Sequence, residues 1–259
     1  MTDSNLKIDI RRNKILELVR QHKKVYVSEL SRTLGVTPVT IRNDLAALES
    51  DGYVERINGG AILSDHDLRF QMGKHTTIEN YKEKQAIATA IADMIHDGDT
   101  IFINSGTTTE IVAAALKKRK NLNIVTNSIA VASTLSDADT FRIILLGGEL
   151  NAKYGFTYGA DTQNRFDHYH ADWAILSIDG ISTVGGLTTY HAEEATIDHM
   201  MICESERLLI AADHTKIGRT GFMRVCALSD GICLVTNATA DTNAEINALR
   251  AMGVQVITA

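Results

Sequence analysis

Residues 27–60 read VSELSRTLGVTPVTIRNDLAALESDGYVERINGG, and this stretch decides how the chain is to be understood. Ser28 stands where it can cap a short helix in which Leu30 and Leu34 fall four apart on one face. Gly35 supplies a tight turn. Thr37 and Pro38 then open a second helix in the cap-then-proline order. In that helix Ile41, Leu45 and Leu48 recur at i, i+4 and i+7, so they share a face toward a core. Val39, Thr40, Arg42 and Asn43 are thereby turned outward, where they can reach base edges or phosphates. Residues 54–57, the turn Asn58-Gly59-Gly60 and residues 61–63 form a hairpin. Two helices about a glycine turn, followed by that hairpin, spell a winged helix-turn-helix. Double-stranded DNA is the partner it implies. A merely structural helix pair accounts for the turn and the apolar stripe, but not for the polar outer face and the hairpin.

Upstream, residues 8–21 form an amphipathic helix with Ile15, Leu18 and Val19 as its stripe and Asp9 or Ser4 as cap, and residues 24–27 form a short strand beside the wing. Residues 64–76 are polar and charged, the expected linker between a domain of residues 1–63 and one of residues 77–259. The net charge of −6 divides unevenly: ten Lys or Arg face eight Asp or Glu in residues 1–63, against sixteen and twenty-four beyond. A small basic reader on a larger acidic body fits that asymmetry. The local cations, among them Arg11, Arg12, Arg42 and Arg56, are too few for one copy to grip DNA strongly at physiological salt, so a homodimer or homotetramer is expected.

From Ile78 onward strands and helices alternate, the pattern of an α/β domain with a parallel sheet. Strands are predicted over 100–103, 122–125, 141–146, 173–178, 208–211, 232–235 and 254–257, and helices over 79–96, 110–118, 192–205 and 240–252. Ligands of such sheets bind beyond the carboxyl ends of the strands. There the sequence places Ser105-Gly106-Thr107-Thr108-Thr109, Thr126-Asn127-Ser128, Gly147-Gly148, Asp179-Gly180 and Lys216. Hydroxyls and helix-end amides suit a phosphate, Lys216 adds a point charge, and Asp179 or Asn127 suit sugar hydroxyls. Strand-end turns favour such residues for backbone reasons too, so the argument rests on their recurrence. No Walker A loop and no G-x-G-x-x-G after a strand is present, which disfavours a nucleotide.

The bulk properties exclude several classes. With 44% hydrophobic and 22% charged residues the composition is that of an ordinary globular protein, no apolar run has membrane-spanning length, and residues 1–10 lack a signal-peptide core. A cytoplasmic protein with no cofactor is expected. Cys203, Cys226 and Cys233 have no metal or disulfide spacing and read as free thiols. His168 and His170 lack a third ligand, so no metal is expected.

Taken together these residues resemble the DeoR family of bacterial transcriptional regulators over essentially the whole chain. Arg11 or Arg12 and Thr40-Ile41-Arg42-Asn43-Asp44-Leu45 match its amino-terminal signature, with Gly59-Gly60 in the wing. Lys84, Asp97-Gly98-Asp99, Ser105-Gly106-Thr107-Thr108-Thr109, Thr126-Asn127-Ser128, Gly147-Gly148, Asp179-Gly180 and Gly186-Leu187-Thr188 match its sensor domain. The resemblance implies a body similar to ribose-phosphate isomerase and glucosamine-phosphate deaminase folds, a phosphorylated sugar as effector, and repression of a carbohydrate operon. Asp213-His214-Thr215-Lys216 and Thr236-Asn237 depart from the family's usual Asp-Ser-Ser-Lys and Thr-Asp. The rival function is a sugar-phosphate isomerase or deaminase fused to the reader, with Asp179, Glu193 and Lys216 as its acid, base and electrostatic groups. An activator using the same DNA contacts is the third reading.

Overall fold

In the computed structural model, which describes residues 2–22, 24–50, 53–63 and 78–259, the chain divides into the units Met1–Phe70 and Gln71–Ala259. The expected linker, 64–76, lies outside the described residues.

The first unit is built on α1 (Thr2–His22), α2 (Val27–Leu34) and α3 (Pro38–Ser50), with the strands β1 (Lys24–Tyr26), β2 (Val54–Ile57) and β3 (Gly60–Leu63) in the order β1-β3-β2. Ile15, Leu16 and Val19 of α1 close on Leu30 of α2 and on Ile41, Leu45 and Leu48 of α3, all buried. Leu16 takes the core place expected of Leu18, which is only half-buried. α1 also starts earlier than expected, so Ser4 and Asp9 lie inside it rather than at its start. Ser28 is likewise inside α2, whose amino-terminal flank is Tyr26 with no side-chain cap. β1 is correspondingly one residue shorter than expected, because Val27 has joined the helix.

The turn between α2 and α3 follows the expected chemistry. Gly35 sits in the left-handed region at φ 66° and its N–H donates to the Ser31 carbonyl. The Thr37 hydroxyl accepts from the Thr40 N–H at 3.2 Å, capping α3. In the wing, Gly60 belongs to β3 rather than to the turn, paired with Ile57 and with Tyr26. A Cβ there would lie 2.0 Å from the Val25 carbonyl oxygen, so the strand contact itself demands glycine.

The second unit holds a seven-stranded parallel sheet in the order β15-β14-β12-β9-β4-β5-β6. These strands are β4 (Thr100–Ile103), β5 (Asn123–Thr126), β6 (Arg142–Leu145), β9 (Ala171–Leu176), β12 (Ser205–Ala211), β14 (Ile232–Thr236) and β15 (Gln255–Thr258). Their alternation shows why both faces are covered. Ile101, Ile103, Trp173, Ile175, Leu209 and Val235 meet α4 (Tyr81–Met94), α5 (Thr107–Leu116) and α6 (Ile129–Leu135) on one face. Phe102, Ala174, Leu176, Leu208, Ile210 and Leu234 meet α7 (Ala160–Phe166), α8 (Ala192–Cys203) and α9 (Asn243–Ala251) on the other. The sequence reading gives no bounds for α6 and lacks α7 and five short strands. Of these, β7 (Glu149–Asn151) and β8 (Phe156–Tyr158) pair as a hairpin, while β10 (Gly180–Ser182), β11 (Gly186–Thr189) and β13 (Met223–Cys226) form a small antiparallel sheet.

Two adjacent strands mark the point where the sheet's strand order reverses. β4 runs on toward β5 and β6 on one side, β9 toward β12 and β14 on the other, so the chain leaves their carboxyl ends in opposite directions. Such a switch point opens a crevice in a parallel sheet.

Candidate DNA-reading face and sensor crevice

α3 separates its residues by face. Ile41, Leu45 and Leu48 are buried, whereas Val39 (62% exposed), Arg42 and Asn43 point to solvent, with Thr40 half-buried beside them. The outward set offers a guanidinium, an amide, a hydroxyl and an apolar group, the four kinds of contact that major-groove edges recognise. Thr37 and Thr40 share a hydroxyl contact of 2.9 Å at the start of the helix.

Arg11 and Arg12 do not stand as free surface cations. Both converge on the buried Asp44 of α3: Arg11 donates to its two oxygens at 2.5 and 3.2 Å and Arg12 to Oδ1 at 3.2 Å. Their first task is to hold α1 against the reading helix. Arg56 is engaged as well, its backbone N–H and Nε meeting Glu49 at 2.9 and 2.7 Å, which ties β2 to α3. The backbone N–H of Arg56 chiefly, then, against the opposing effect of burial, its guanidinium hold the Glu49 carboxyl below its ordinary range.

In the second unit the loop after β4 and the loop after β9 are stitched across the switch point. The Asn104 amide donates to the Ser177 carbonyl and to Asp198 Oδ1, both at 2.9 Å, and its oxygen accepts the Ser177 N–H at 3.0 Å. Ser105 donates to the Tyr154 carbonyl at 3.2 Å, bringing in the segment between β7 and β8. α5 begins at Thr107, three residues earlier than expected, so Gly106 flanks a helix start whose first amides have no partner within the helix.

The expected effector residues part into two groups. Thr109, Thr126 and Ser128 spend their side chains on the frame: the Thr109 hydroxyl lies within hydrogen-bond reach of the Asn104 and Gly106 carbonyls and serves one of them at a time, Thr126 donates to the Ile103 carbonyl at 2.6 Å, and Ser128 caps α6 by accepting from Val131. Thr108 is buried in the first turn of α5. Gly180 is needed for packing, since a Cβ would lie 2.4 Å from the Arg219 carbonyl oxygen, and Gly148 approaches the Tyr158 carbonyl oxygen almost as closely. Ser105, Gly106, Thr107, Asp179 and Lys216 remain at the accessible end, with Gly147 beside open space. Asn127 donates to the Thr157 carbonyl at 2.9 Å while its buried Oδ1 has no partner among the described residues.

Sequence reasoning missed the acidic floor of the crevice. Asp179 Oδ2 accepts from the Thr189 hydroxyl at 2.9 Å and from the Tyr190 N–H at 3.1 Å, and Oδ1 lies 3.9 Å from Lys216 Nζ. The same Thr189 hydroxyl contacts Glu194 Oε2. Glu194 is therefore the glutamate that joins Asp179 and Lys216, whereas the neighbouring Glu193 is exposed. Burial, then repulsion from Asp198 and Asp179, raises the Glu194 carboxyl well above its ordinary range, with Thr189 and Lys216 opposing. Burial likewise pushes Asp198 up to about 8. Beside this floor, Lys84 reaches Asp213 at 2.7 Å. Burial alone would raise Asp213, but Lys84 and Thr215 outweigh it and hold that carboxyl low. The departing residues His214 and Asn237 bond each other through ring Nδ1 and amide Nδ2 at 2.9 Å.

Among the described residues no group of three His, Cys, Asp or Glu is arranged to hold a metal, and no helix is long and apolar enough to cross a membrane. His170 lies 3.9 Å from Glu206 at the surface. Cys203, Cys226 and Cys233 are free thiols.

A winged helix-turn-helix carried in one chain with a parallel α/β unit, polar at its switch point, defines a transcriptional regulator with its own sensor. Residues 11–67 match the DeoR-like helix-turn-helix domain and residues 79–238 the DeoR C terminal sensor domain. The chain belongs to the DeoR family of transcriptional regulators. It is similar to the glycerol-3-phosphate regulon repressor of Escherichia coli, 36% identical over 228 residues that cover 88% of this chain and 90% of that protein. It is also similar to the HTH-type transcriptional repressor GlcR of Bacillus subtilis, 33% identical, covering 86% of each. Among solved structures, the probable sor operon regulator from Shigella flexneri has a TM-score of 0.41 at 10% identity, covering 66% of this chain and 88% of that one. Ribose 5-phosphate isomerase A from Methanocaldococcus jannaschii has a TM-score of 0.38 at 13% identity, covering 51% and 52%.

Proposed function

We propose that this protein represses a carbohydrate operon and is released from its operator when a phosphorylated sugar enters the switch-point crevice. The observation that carries the reading is the two-faced α3: a sealed apolar face and, opposite it, Val39, Arg42 and Asn43 exposed with no core to serve. Thr40, Arg42 and Asn43 read the major groove, Thr37 and Val39 support them, and Arg56 approaches the backbone from the wing. Arg11 and Arg12 act through Asp44, setting the angle of the reading helix rather than supplying the first phosphate contacts. The relatives named as repressors support a regulator that performs no catalysis.

In the sensor, the amino terminus of α5 and Lys216 receive the phosphate, and Asp179 and Asn127 receive hydroxyls. Release through about a 100-fold loss of operator affinity needs only about 2.7 kcal/mol of coupling. The assembly is a homodimer or homotetramer, because a single reader makes too few phosphate contacts. Arg42→Ala, titrated against the operator in a gel-shift assay, is expected to lose about 1–3 kcal/mol of specific binding while sugar-phosphate thermal shifts persist. Unchanged operator affinity in that variant defeats the reading.

A further inference from the structure

The crevice holds an arrangement whose proton count does not balance if every carboxyl is ionised. Thr189 is buried, and its one hydroxyl contacts both Asp179 Oδ2, at 2.9 Å, and Glu194 Oε2. A threonine hydroxyl carries a single proton and can donate in only one of these directions. The other contact then sets oxygen lone pairs against each other unless a carboxyl brings its own proton. Asp179 is surrounded by donors, the Tyr190 N–H on Oδ2 and Lys216 beside Oδ1, and so is the anion of the two. The proton belongs on Glu194.

The wider charge count points the same way. The titratable groups facing Glu194 are Asp198 from its own helix, Asp179 from the loop after β9 and Lys216 from the turn after β12. Among the described groups that act on it, three carboxyls thus confront one ammonium. Asp198 is fully enclosed, its Oδ1 held by the Asn104 amide and its Oδ2 without a partner among the described residues. An anion entering beside Lys216 meets a repulsive floor if all three are charged, and a receptive one if the inner two are neutral.

We propose that Glu194 is a specificity-determining residue: as a neutral acid it donates to Thr189, which donates to Asp179, and only in this form does the crevice accept an anionic ligand. This rests on the reading of the crevice as the sensor site. The consequence is linkage between ligand and proton. Once Glu194 ionises, each further pH unit weakens anion binding by up to about ten-fold, and binding draws a proton from solution.

The test uses the full chain and sulfate, a dianion that does not titrate near neutrality. The infrared spectrum of the unliganded protein near pH 7 is expected to show protonated-carboxyl carbonyl absorption, in which the Glu194 band is the component that Glu194→Gln removes, Asp198 supplying the rest. Sulfate stabilisation in thermal unfolding is expected to fade with rising pH in the wild type and to fade less steeply in Glu194→Gln, where only Asp198 still gains charge. Net proton uptake on adding sulfate to the wild type in weak buffer needs no variant and is expected near the upper end of that range. Absence of both the band and the uptake, with sulfate or sugar phosphate still bound, overturns this proposal and leaves the sensor reading standing. A band present while sulfate binds equally at every pH overturns the specificity role. Failure of every anion to bind at any pH overturns the sensor reading and this proposal with it.

Discussion

Asp44 in the reader and Asp198 in the sensor are equally enclosed, 2% and 1% exposed, yet their surroundings are opposite. Asp44 is met by two guanidinium groups, Arg11 and Arg12, brought from another helix. Asp198 receives one neutral amide, shares its neighbourhood with Asp179 and Glu194, and is pushed up to about 8 chiefly by burial. A buried carboxyl is tolerable when a cation joins it or when it keeps its proton. The reader uses cations. The sensor uses protons, and Asp198 keeps its own up to about pH 8. Lys84 and Asp213 show that the sensor unit also contains the first solution, one wall away from the second.

The hardest blow to this contrast is Lys84→Met, which strands Asp213 without its ammonium. We expect a loss of about 3–5 kcal/mol in urea unfolding at neutral pH, largely recovered in the double variant Lys84→Met/Asp213→Asn. A small loss would mean the pair does not do in the sensor what the arginines do in the reader. Asp44→Ala comes next, at about 2–3 kcal/mol, because Arg11 and Arg12 keep some access to water once freed. Its operator affinity is expected to fall through a misaligned α3, while sugar-phosphate binding stays. Loss of ligand binding in that variant would break the separation between the two units.

Asp198→Asn sharpens the comparison through pH. The folded sensor holds a proton on Asp198 that the unfolded chain releases above its ordinary value of 3.8, so the stability this proton confers falls as pH rises from about 4 to about 8. Asn removes that slope, and each kcal/mol of relieved penalty appears as about 2–4 °C in melting temperature at the alkaline end. A melting curve whose pH slope is identical in wild type and variant contradicts it. The smallest effect belongs to Arg56→Ala: its pair with Glu49 is well exposed, so the stability change should stay within about 1 kcal/mol in urea unfolding.

The helices and strands of the reader were legible because cap, proline, glycine turn and apolar spacing all fall within a few residues of one another. The long sheet was legible for a similar reason, each strand carrying its own unbroken apolar run. What escaped depends on distance or brevity. The five short strands carry no such run: β7 reads ELN, β10 GIS and β11 GLTT, so neither an apolar stretch nor a period registers. Glu194 and Asp198 read locally as ordinary acids near the start of a helix, and only the register of β4 against β9 brings α8 under Asn104. Glu193 is the glutamate of the rival enzymatic reading, but it is exposed, and its neighbour Glu194 is the one that meets Thr189. Arg11 and Arg12 looked like phosphate contacts because a sequence shows charge without showing its partner, here 33 and 32 residues away.

The crevice is a seam between segments that meet late. Asn104 and Ser177, whose mutual bonds lock it, stand 73 positions apart, so the intervening chain must be looped before either gains a partner. Such long-range closure is slow compared with forming any single helix of the unit. A small molecule lodged across that seam would act as a clasp, retarding the opening of two halves that the backbone alone joins at leisure.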